Sequence, residues 1–328
     1  MDDLISIIIP VYNTGNTINR CVESILESTY FNFEIIMIDD GSVAETAEEC
    51  DRLALKDQRI RIIHQDNGGV SKARNCGIEN ARGKFITFVD ADDTIDSDLL
   101  ESMMDVIQQK QADVVISGHR ECYDDGSFKD CFCNKKETVK CGDQILSDFF
   151  TTNNIRWTVW AKLYTRSIIG TVRFQNGKRI AEDMYFNYEI FKKANTIVEC
   201  EFQKYNYIRH DKSVMASNDC SRFFDSFYLT KAVFDDIETN ENHWSEKILF
   251  YVKNSLYFFR MIYAKDRNKK AAENIRDARK IFLNSIQNNI VVLPGRMRLE
   301  LLLLKCNESL YRQLAKIYWK MKGRKMRY

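Results

Sequence analysis

Over the first 118 residues, short unbroken apolar runs alternate with stretches whose apolar residues recur every three or four positions. Ile5–Pro10 (ISIIIP) predicts a buried strand, and Ile18, Val22, Ile25 and Leu26 then repeat at helical spacing after Thr14 or Asn16, either of which supplies a cap. Glu34–Ile38 (EIIMI) predicts the second strand and Val43–Leu55 the second helix. Ile60–His64 and Phe85–Val89 predict strands three and four, flanking a helix from Ser71, its N-cap, to about Ala81. Ser97 caps a further helix with Leu100, Met103, Met104 and Ile107 on one face, and Asp113–Ser117 follows as strand five. Alternating β and α elements with continuously apolar strands predict an α/β fold, with a mostly parallel central sheet and helices on both faces.

The pattern then changes. Tyr123-Asp124-Asp125-Gly126-Ser127 is a hairpin turn signal, Ala181–Phe191 reads as an amphipathic helix, and from Ser221 onward the chain reads as helical almost throughout. Pro294-Gly295 interrupts it before a final helix of about 25 residues. The expected division is 1–218 for the α/β domain, with halves 1–118 and 119–218, and 219–328 for a helical domain with a basic tail.

Charge sharpens this division. The net charge of +1 conceals 10 Lys and Arg against 22 Asp and Glu in residues 1–118, while residues 296–328 hold 10 basic and 2 acidic residues. An acidic N-terminal half is a poor nucleic-acid surface, yet it binds phosphates when a metal cation lies between. No apolar stretch reaches the about 18 residues of a membrane span, and Met1-Asp2-Asp3-Leu4 lacks the basic region of a signal peptide. Ten cysteines in such a chain read as reduced cytosolic thiols. The spacing of Cys122, Cys131, Cys133 and Cys141 lacks zinc-knuckle pairs.

In a parallel sheet, ligands bind beyond the carboxyl ends of the strands. The residues there are Pro10-Val11-Tyr12-Asn13, Asp39-Asp40-Gly41-Ser42, Asp66-Asn67-Gly68-Gly69 with Arg74-Asn75, and Asp90-Ala91-Asp92-Asp93. A single Asp at such a place is a solvated turn or cap. Two acidic clusters at one sheet edge repel, which favours a cation or nucleotide site. Asp90 and Asp92 alternate on an extended segment and so share a face, offering two hard oxygens to Mg²⁺ or Mn²⁺, with a diphosphate completing the shell. Asp40 then faces the organic part of the ligand, and Arg74 supplies a cation. Neither a G-x-G-x-x-G nor a Walker loop is present. Gly69-Val70-Ser71-Lys72-Ala73 only approaches a nucleophile elbow, and Ser71 reads as a helix cap.

SIIIPVYN, MIDDGS, DNGGVSKARNCGIENARGKFITFVDADD and AEDMYFN, in this order, resemble the family 2 glycosyltransferases of GT-A fold over roughly residues 4–210. The resemblance implies that Asp40 contacts the uracil of a UDP-sugar, that Pro10 and Tyr12 line the nucleoside pocket, and that Arg74 and Asn75 lie beside the nucleotide. It implies that Asp90 and Asp92, with Ala91 between them, hold the ribose and the metal on the diphosphate. Asp183 of the Glu182-Asp183 pair is implied as the catalytic base; without the family, a first-turn acid favoured by the helix dipole explains it equally well. Trp157 or Trp160 lines the acceptor site or belongs to the core, and Arg209, His210 and Ser213 close over the diphosphate or form a solvated loop. The implied enzyme is an inverting hexosyltransferase acting on a glycan or lipid-linked glycan acceptor in bacterial surface polysaccharide synthesis, in the cytoplasm at the inner membrane face. A sugar nucleotidyltransferase and a non-catalytic nucleotide-sugar binding module are the alternatives.

Leu299, Leu303, Cys306, Leu310, Leu314, Ile317 and Met321 recur at steps of three and four. This stripe is expected to dock on the helical domain or to pair two copies of the chain, leaving the basic residues after Trp319 to contact anionic lipid.

Overall fold

The computed structural model describes residues 3–131, 136–151, 157–209, 222–236, 243–265, 272–287 and 293–325, with side chains to Met321. Among the predicted site residues, His210 and Ser213 lie outside the described residues. Contacts divide the chain into two units, Met1–Ser213 and Val214–Tyr328.

In the first unit, strands β1 (Ile5–Val11), β2 (Phe33–Asp39), β3 (Ile60–His64) and β4 (Phe85–Phe88) pair in the order β3-β2-β1-β4, all parallel. Their connections are α1 (Thr17–Leu26), α2 (Ala44–Lys56) and α3 (Val70–Asn80). Every residue of β2 is buried and β1 is buried except at Pro10, as strands covered on both faces require. These elements lie where the apolar runs placed them. Asn16, one of the two expected caps, stands at the N-cap of α1, whereas Gly69 and Asp98 replace the expected Ser71 and Ser97 for α3 and the helix starting at Leu99; none of the three makes a side-chain capping bond. Ser71 lies inside α3, fully buried, rather than at its start.

Beyond β4 the sheet is mixed rather than mostly parallel. A two-residue strand β5 (Thr94–Ile95) precedes α4 (Leu99–Lys110), which buries the predicted Leu100, Met103, Met104 and Ile107. Then come β6 (Val114–Cys122), β7 (Phe128–Cys131) and β8 (Thr138–Cys141), with β6 and β7 forming the predicted hairpin. After α5 (Asp143–Thr151), β9 (Lys162–Thr165) runs antiparallel between β4 and β6. Helices α6 (Arg166–Ile169) and α7 (Glu182–Phe191) lead to the long β10 (Thr196–Ile208), parallel to β6 and flanked by antiparallel β5 and β8. The sequence pattern missed β9 because it is four residues with a lysine at its head, and missed β10 because charged and polar residues interrupt it.

The second unit contains α8 (Phe223–Asp236), α9 (Trp244–Lys265), α10 (Ala272–Ile286), α11 (Gly295–Cys306) and α12 (Glu308–Lys325). The expected single helix after Pro294 is two, interrupted at Asn307, whose side-chain oxygen accepts from the Leu310 N–H at 3.0 Å. Aromatic contacts dominate its core, with Phe234 stacked on Tyr251 at 4.3 Å and Phe227 on Phe258 at 5.1 Å. No helix among the described residues is long and apolar enough to cross a membrane.

Helix α3 rests on β1 through Gly77. A Cβ built there would lie 2.3 Å from Cγ2 of Ile8, so the close approach exists only because the side chain is absent. Gly77→Ala is expected to destabilise the protein by about 1–3 kcal/mol through overpacking. A melting temperature equal to that of the parent would contradict this.

Candidate active site

Asp39 and Asp40 leave β2 fully buried and do different work. Asp39 accepts from the Ser42 N–H at 3.0 Å and contacts His64 Nδ1 at 2.8 Å. Burial opposes its charge, but the Ser42 and His64 contacts prevail and hold its carboxyl below the ordinary range, while Asp39 and then Asp51 push the His64 imidazole up. Asp40 gathers the loop after β3. Its Oδ1 accepts from Gln65 Nε2 at 2.6 Å and the Gly68 N–H at 2.9 Å, and its Oδ2 from the Gly69 N–H at 2.7 Å. The carboxylate expected to meet a base is thus already the anchor of the Gly68-Gly69 turn, where Gly69 adopts φ 86°. At the end of β1, Pro10 is partly exposed and Tyr12 is 55% exposed. Asn13 joins the two loops, its N–H donating to Ser42 Oγ at 3.1 Å and its Oδ1 accepting from the Val43 N–H at 2.8 Å.

Arg74 is the centre of the site. It sits one turn into α3, is 4% exposed, and reaches acids from two distant segments. Its Nη2 donates to Asp90 Oδ1 at 3.1 Å, beyond β4, and its Nη1 to Asp183 Oδ1 at 2.5 Å and Glu182 Oε1 at 3.3 Å, at the start of α7. The guanidinium therefore brings together the two acidic motifs that the sequence separates by about ninety residues, and its carbon lies 5.4 Å from the Phe174 ring centroid. Asp183 is pushed up to about 8, chiefly by burial, with Arg74 opposing and Glu182 and Asp90 adding to the rise.

Several neighbours hold this geometry. Asn75, expected beside the nucleotide, pairs with the Phe174 backbone: its Nδ2 donates to the carbonyl at 2.9 Å and its Oδ1 accepts the N–H at 2.8 Å. Phe174 stacks on Phe186 of α7 at 3.9 Å and 4°. Asn187, one turn beyond Asp183, donates to the carbonyls of Trp157 at 3.0 Å and Thr158 at 2.9 Å and accepts from Tyr164 Oη at 2.8 Å. The i, i+4 spacing of Asp183 and Asn187 was the available signal for that residue's role.

Beyond β4, Asp90 and Asp92 are partly exposed, whereas Ala91 is 4% exposed and Asp93 completely buried. Asp93 accepts from Tyr205 Oη at 2.6 Å and from the Ile208 N–H at 2.9 Å, and the Asp90 N–H donates to the same tyrosine oxygen at 3.2 Å. Burial first, and then Asp90, drive the Asp93 carboxyl well above its usual range, against the Tyr205 hydroxyl. The motif is therefore clamped to β10 from behind, a role the solvated-turn reading of Asp93 did not foresee. Trp160 belongs to the core: it is 9% exposed and stacks on Tyr205 at 4.8 Å and Tyr207 at 5.6 Å. Trp157 remains half-buried near α7. Arg209 is engaged by Glu121 and lies over the Tyr207 ring at 5.1 Å.

Asp90 and Asp92 stand on a turn closed by the Asp93 N–H donating to the Asp90 carbonyl at 3.0 Å, not on the extended segment expected from the sequence. Two partly exposed carboxylates flanking Ala91 there fit a hard divalent cation that takes its remaining ligands from a diphosphate and water. A second grouping, His119, Glu121 and Cys131 on the β6–β7 hairpin, brings ligand atoms within 4.8 Å of one another. There Glu121 is already bonded to Arg209 and to Tyr123 Oη at 3.0 Å, and burial pushes His119 down to about 4. All eight described cysteines are free thiols.

Residues 6–156 match the family model described as Glycosyl transferase family 2. The chain is 35% identical over 224 residues to glycosyltransferase GlyG of Streptococcus pneumoniae serotype 4 (strain ATCC BAA-334 / TIGR4), covering 66% of this chain and 74% of GlyG. Glycosyltransferase GlyA of the same strain is 32% identical over 63% of this chain, but the match spans only 31% of GlyA. The structure of S. aureus TarS 1-349 in complex with UDP-GlcNAc superposes with a TM-score of 0.77 over 97% of this chain and 92% of that one, at 18% identity, which shows a common fold. With its GT-A architecture and a relative as similar as GlyG, the chain belongs to glycosyl transferase family 2.

Proposed function

We propose that the enzyme transfers a sugar from a UDP-sugar to a hydroxyl of a glycan or lipid-linked glycan acceptor, with inversion, in the synthesis of a bacterial surface polysaccharide. The observation that carries this reading is the Arg74 bridge, which sets the Asp90 motif and Asp183 at one place. The solved complexes of TarS with UDP-GlcNAc and with UDP support a nucleotide-sugar donor for a chain of the same fold. Asp40, Pro10 and Tyr12 frame the side where a uracil would enter.

Asp183 takes the proton of the acceptor hydroxyl as its oxygen forms the bond to the anomeric carbon. The bond from that carbon to the diphosphate breaks on the opposite face, UDP leaves with the electron pair, and configuration inverts. Asp90 and Asp92 would hold Mn²⁺ or Mg²⁺, which supplies charge neutralisation for the departing diphosphate. Arg74 keeps the base beside that motif and favours its ionised form. Raising the carboxyl pKa towards neutrality by burial makes it a stronger acceptor for a sugar hydroxyl than a solvated Asp would be.

Incubation with UDP-sugars and Mn²⁺ should release UDP slowly by donor hydrolysis; release of pyrophosphate would instead indicate nucleotidyl transfer. Asp183→Asn is expected to keep UDP binding and lower turnover by roughly 10²–10⁴; near-parental transfer would move the base elsewhere, with Glu182 next to test. Asp92→Ala should remove the Mn²⁺ dependence of UDP binding, and unchanged metal-dependent affinity by calorimetry would sink the metal assignment. Because the base must be unprotonated, transfer should climb with pH up to about 8 and level above it. A rate that falls across that interval would contradict a base raised by burial. Arg74→Lys keeps the charge but cannot span both acids, so kcat should drop by roughly 10² while UDP affinity changes little. Equal losses in both would indicate that Arg74 binds the nucleotide instead.

A further inference from the structure

The expected docking stripe of the last helix is not the face that docks. In α12 the buried residues are Tyr311 and Ala315, 3% exposed each, with Tyr318 beside them. Tyr311 Oη donates to Glu300 at 2.9 Å, Arg260 lies over the Tyr318 ring at 5.4 Å, and Tyr257 meets Trp319 at 6.1 Å. Aromatic side chains outside the expected aliphatic stripe make the contact with α9. The aliphatic stripe is rotated away from it by about a quarter-turn, as the 100° step of the helix requires. Leu310, Leu314, Ile317 and Met321 are consequently 39%, 44%, 55% and 63% exposed. On α11, Leu299 and Leu302 are likewise 61% and 55% exposed.

Along residues 296–328 the charge is predominantly basic. Lys316 and Lys320 are exposed on α12, and the chain continues with Lys322, Arg324, Lys325 and Arg327. The two acids of residues 296–328 are both committed within the helical unit. Glu300 binds Arg260 at 2.6 and 2.9 Å, and Glu308 pairs with Arg279 at 2.7 Å. Two copies meeting stripe to stripe would set basic helices side by side with no acid to answer them. An anionic partner with an apolar interior satisfies both features at once.

We propose that α12 lies in the surface of an anionic bilayer, with Leu310, Leu314, Ile317 and Met321 entering the acyl boundary and Lys316 and Lys320 at the phosphate level. Long basic side chains bordering an apolar stripe can keep their charge among the headgroups while their stems cover apolar surface. This extends lipid contact from the tail after Trp319 to the whole helix, and it requires neither donor nor acceptor.

The full chain is tested by flotation with vesicles of phosphatidylcholine alone and of phosphatidylcholine mixed with phosphatidylglycerol, without nucleotide. The parent should bind the mixed vesicles, more weakly as salt rises, and leave the neutral ones. Leu314→Gln/Ile317→Gln and Lys316→Gln/Lys320→Gln should each weaken that binding at least roughly tenfold. Since all four side chains are exposed, melting temperature should not move; if the first pair does unfold the protein, the lysine pair still decides. Parental failure to bind the mixed vesicles, or equal binding by the lysine pair, overturns the proposal. So does an apolar pair that converts a dimer to a monomer in sedimentation equilibrium while vesicle binding stays intact, because the stripe would then be a seam between two copies. None of these results bears on transfer, which is assayed separately on a soluble acceptor.

Discussion

One buried guanidinium holds the candidate site together. Arg74 stands among Asp90, Glu182 and Asp183, and a cation so placed is held by three partners while each acid is tolerable only because the cation is there. Remove it and three carboxylates are left facing one another without this cation between them. The dependence runs outward from this point. Gly77 lets α3 approach β1 closely enough to present Arg74, Asn75 ties the same helix to the Phe174 loop, and Phe174 stacks beneath α7.

The arrangement also divides labour between neighbouring acids. Asp40 and Asp93 are both buried and bond within the protein: Asp40 to the Gly68-Gly69 turn, Asp93 to Tyr205 and the Ile208 backbone. Asp90 and Asp92 keep partial exposure. Through the Tyr205 hydroxyl, which also accepts the Asp90 N–H, Asp93 fixes where the more exposed Asp90 stands.

The parallel half of the sheet was legible because each strand is a continuous apolar run, and burial on both faces writes that pattern directly into the sequence. The motifs at the strand exits were legible for the same reason. The other half was not. Lys162 heads a strand although its side chain is wholly buried, with Nζ donating to the Thr158 carbonyl at 2.5 Å, and β10 carries polar residues that bond acids outside the strand, Lys204 to Asp98 at 2.7 Å and Asn206 to Asp96 at 2.8 Å. Nor did periodicity distinguish the docked face of α12 from its exposed one, since Tyr311 packs edge-on against Tyr263 and bonds Glu300, and Tyr318 lies under Arg260, contacts that an aliphatic count ignores. Burial of the acids was the least readable property, because it depends on partners far away in the chain.

The antiparallel strand β9, wedged between β4 and β6, has a consequence for synthesis on the ribosome. The edge of β4 has its partner only after Lys162–Thr165 have emerged, long after Phe85–Phe88. At about 5–20 residues per second this leaves an apolar strand edge open for several seconds. During that interval the nascent parallel half is a template for any other extended segment. A sheet whose middle strand arrives late trades rapid assembly for a site that cannot exist until both motifs are made, so a truncated chain presents an aggregation-prone edge rather than a half-formed catalyst.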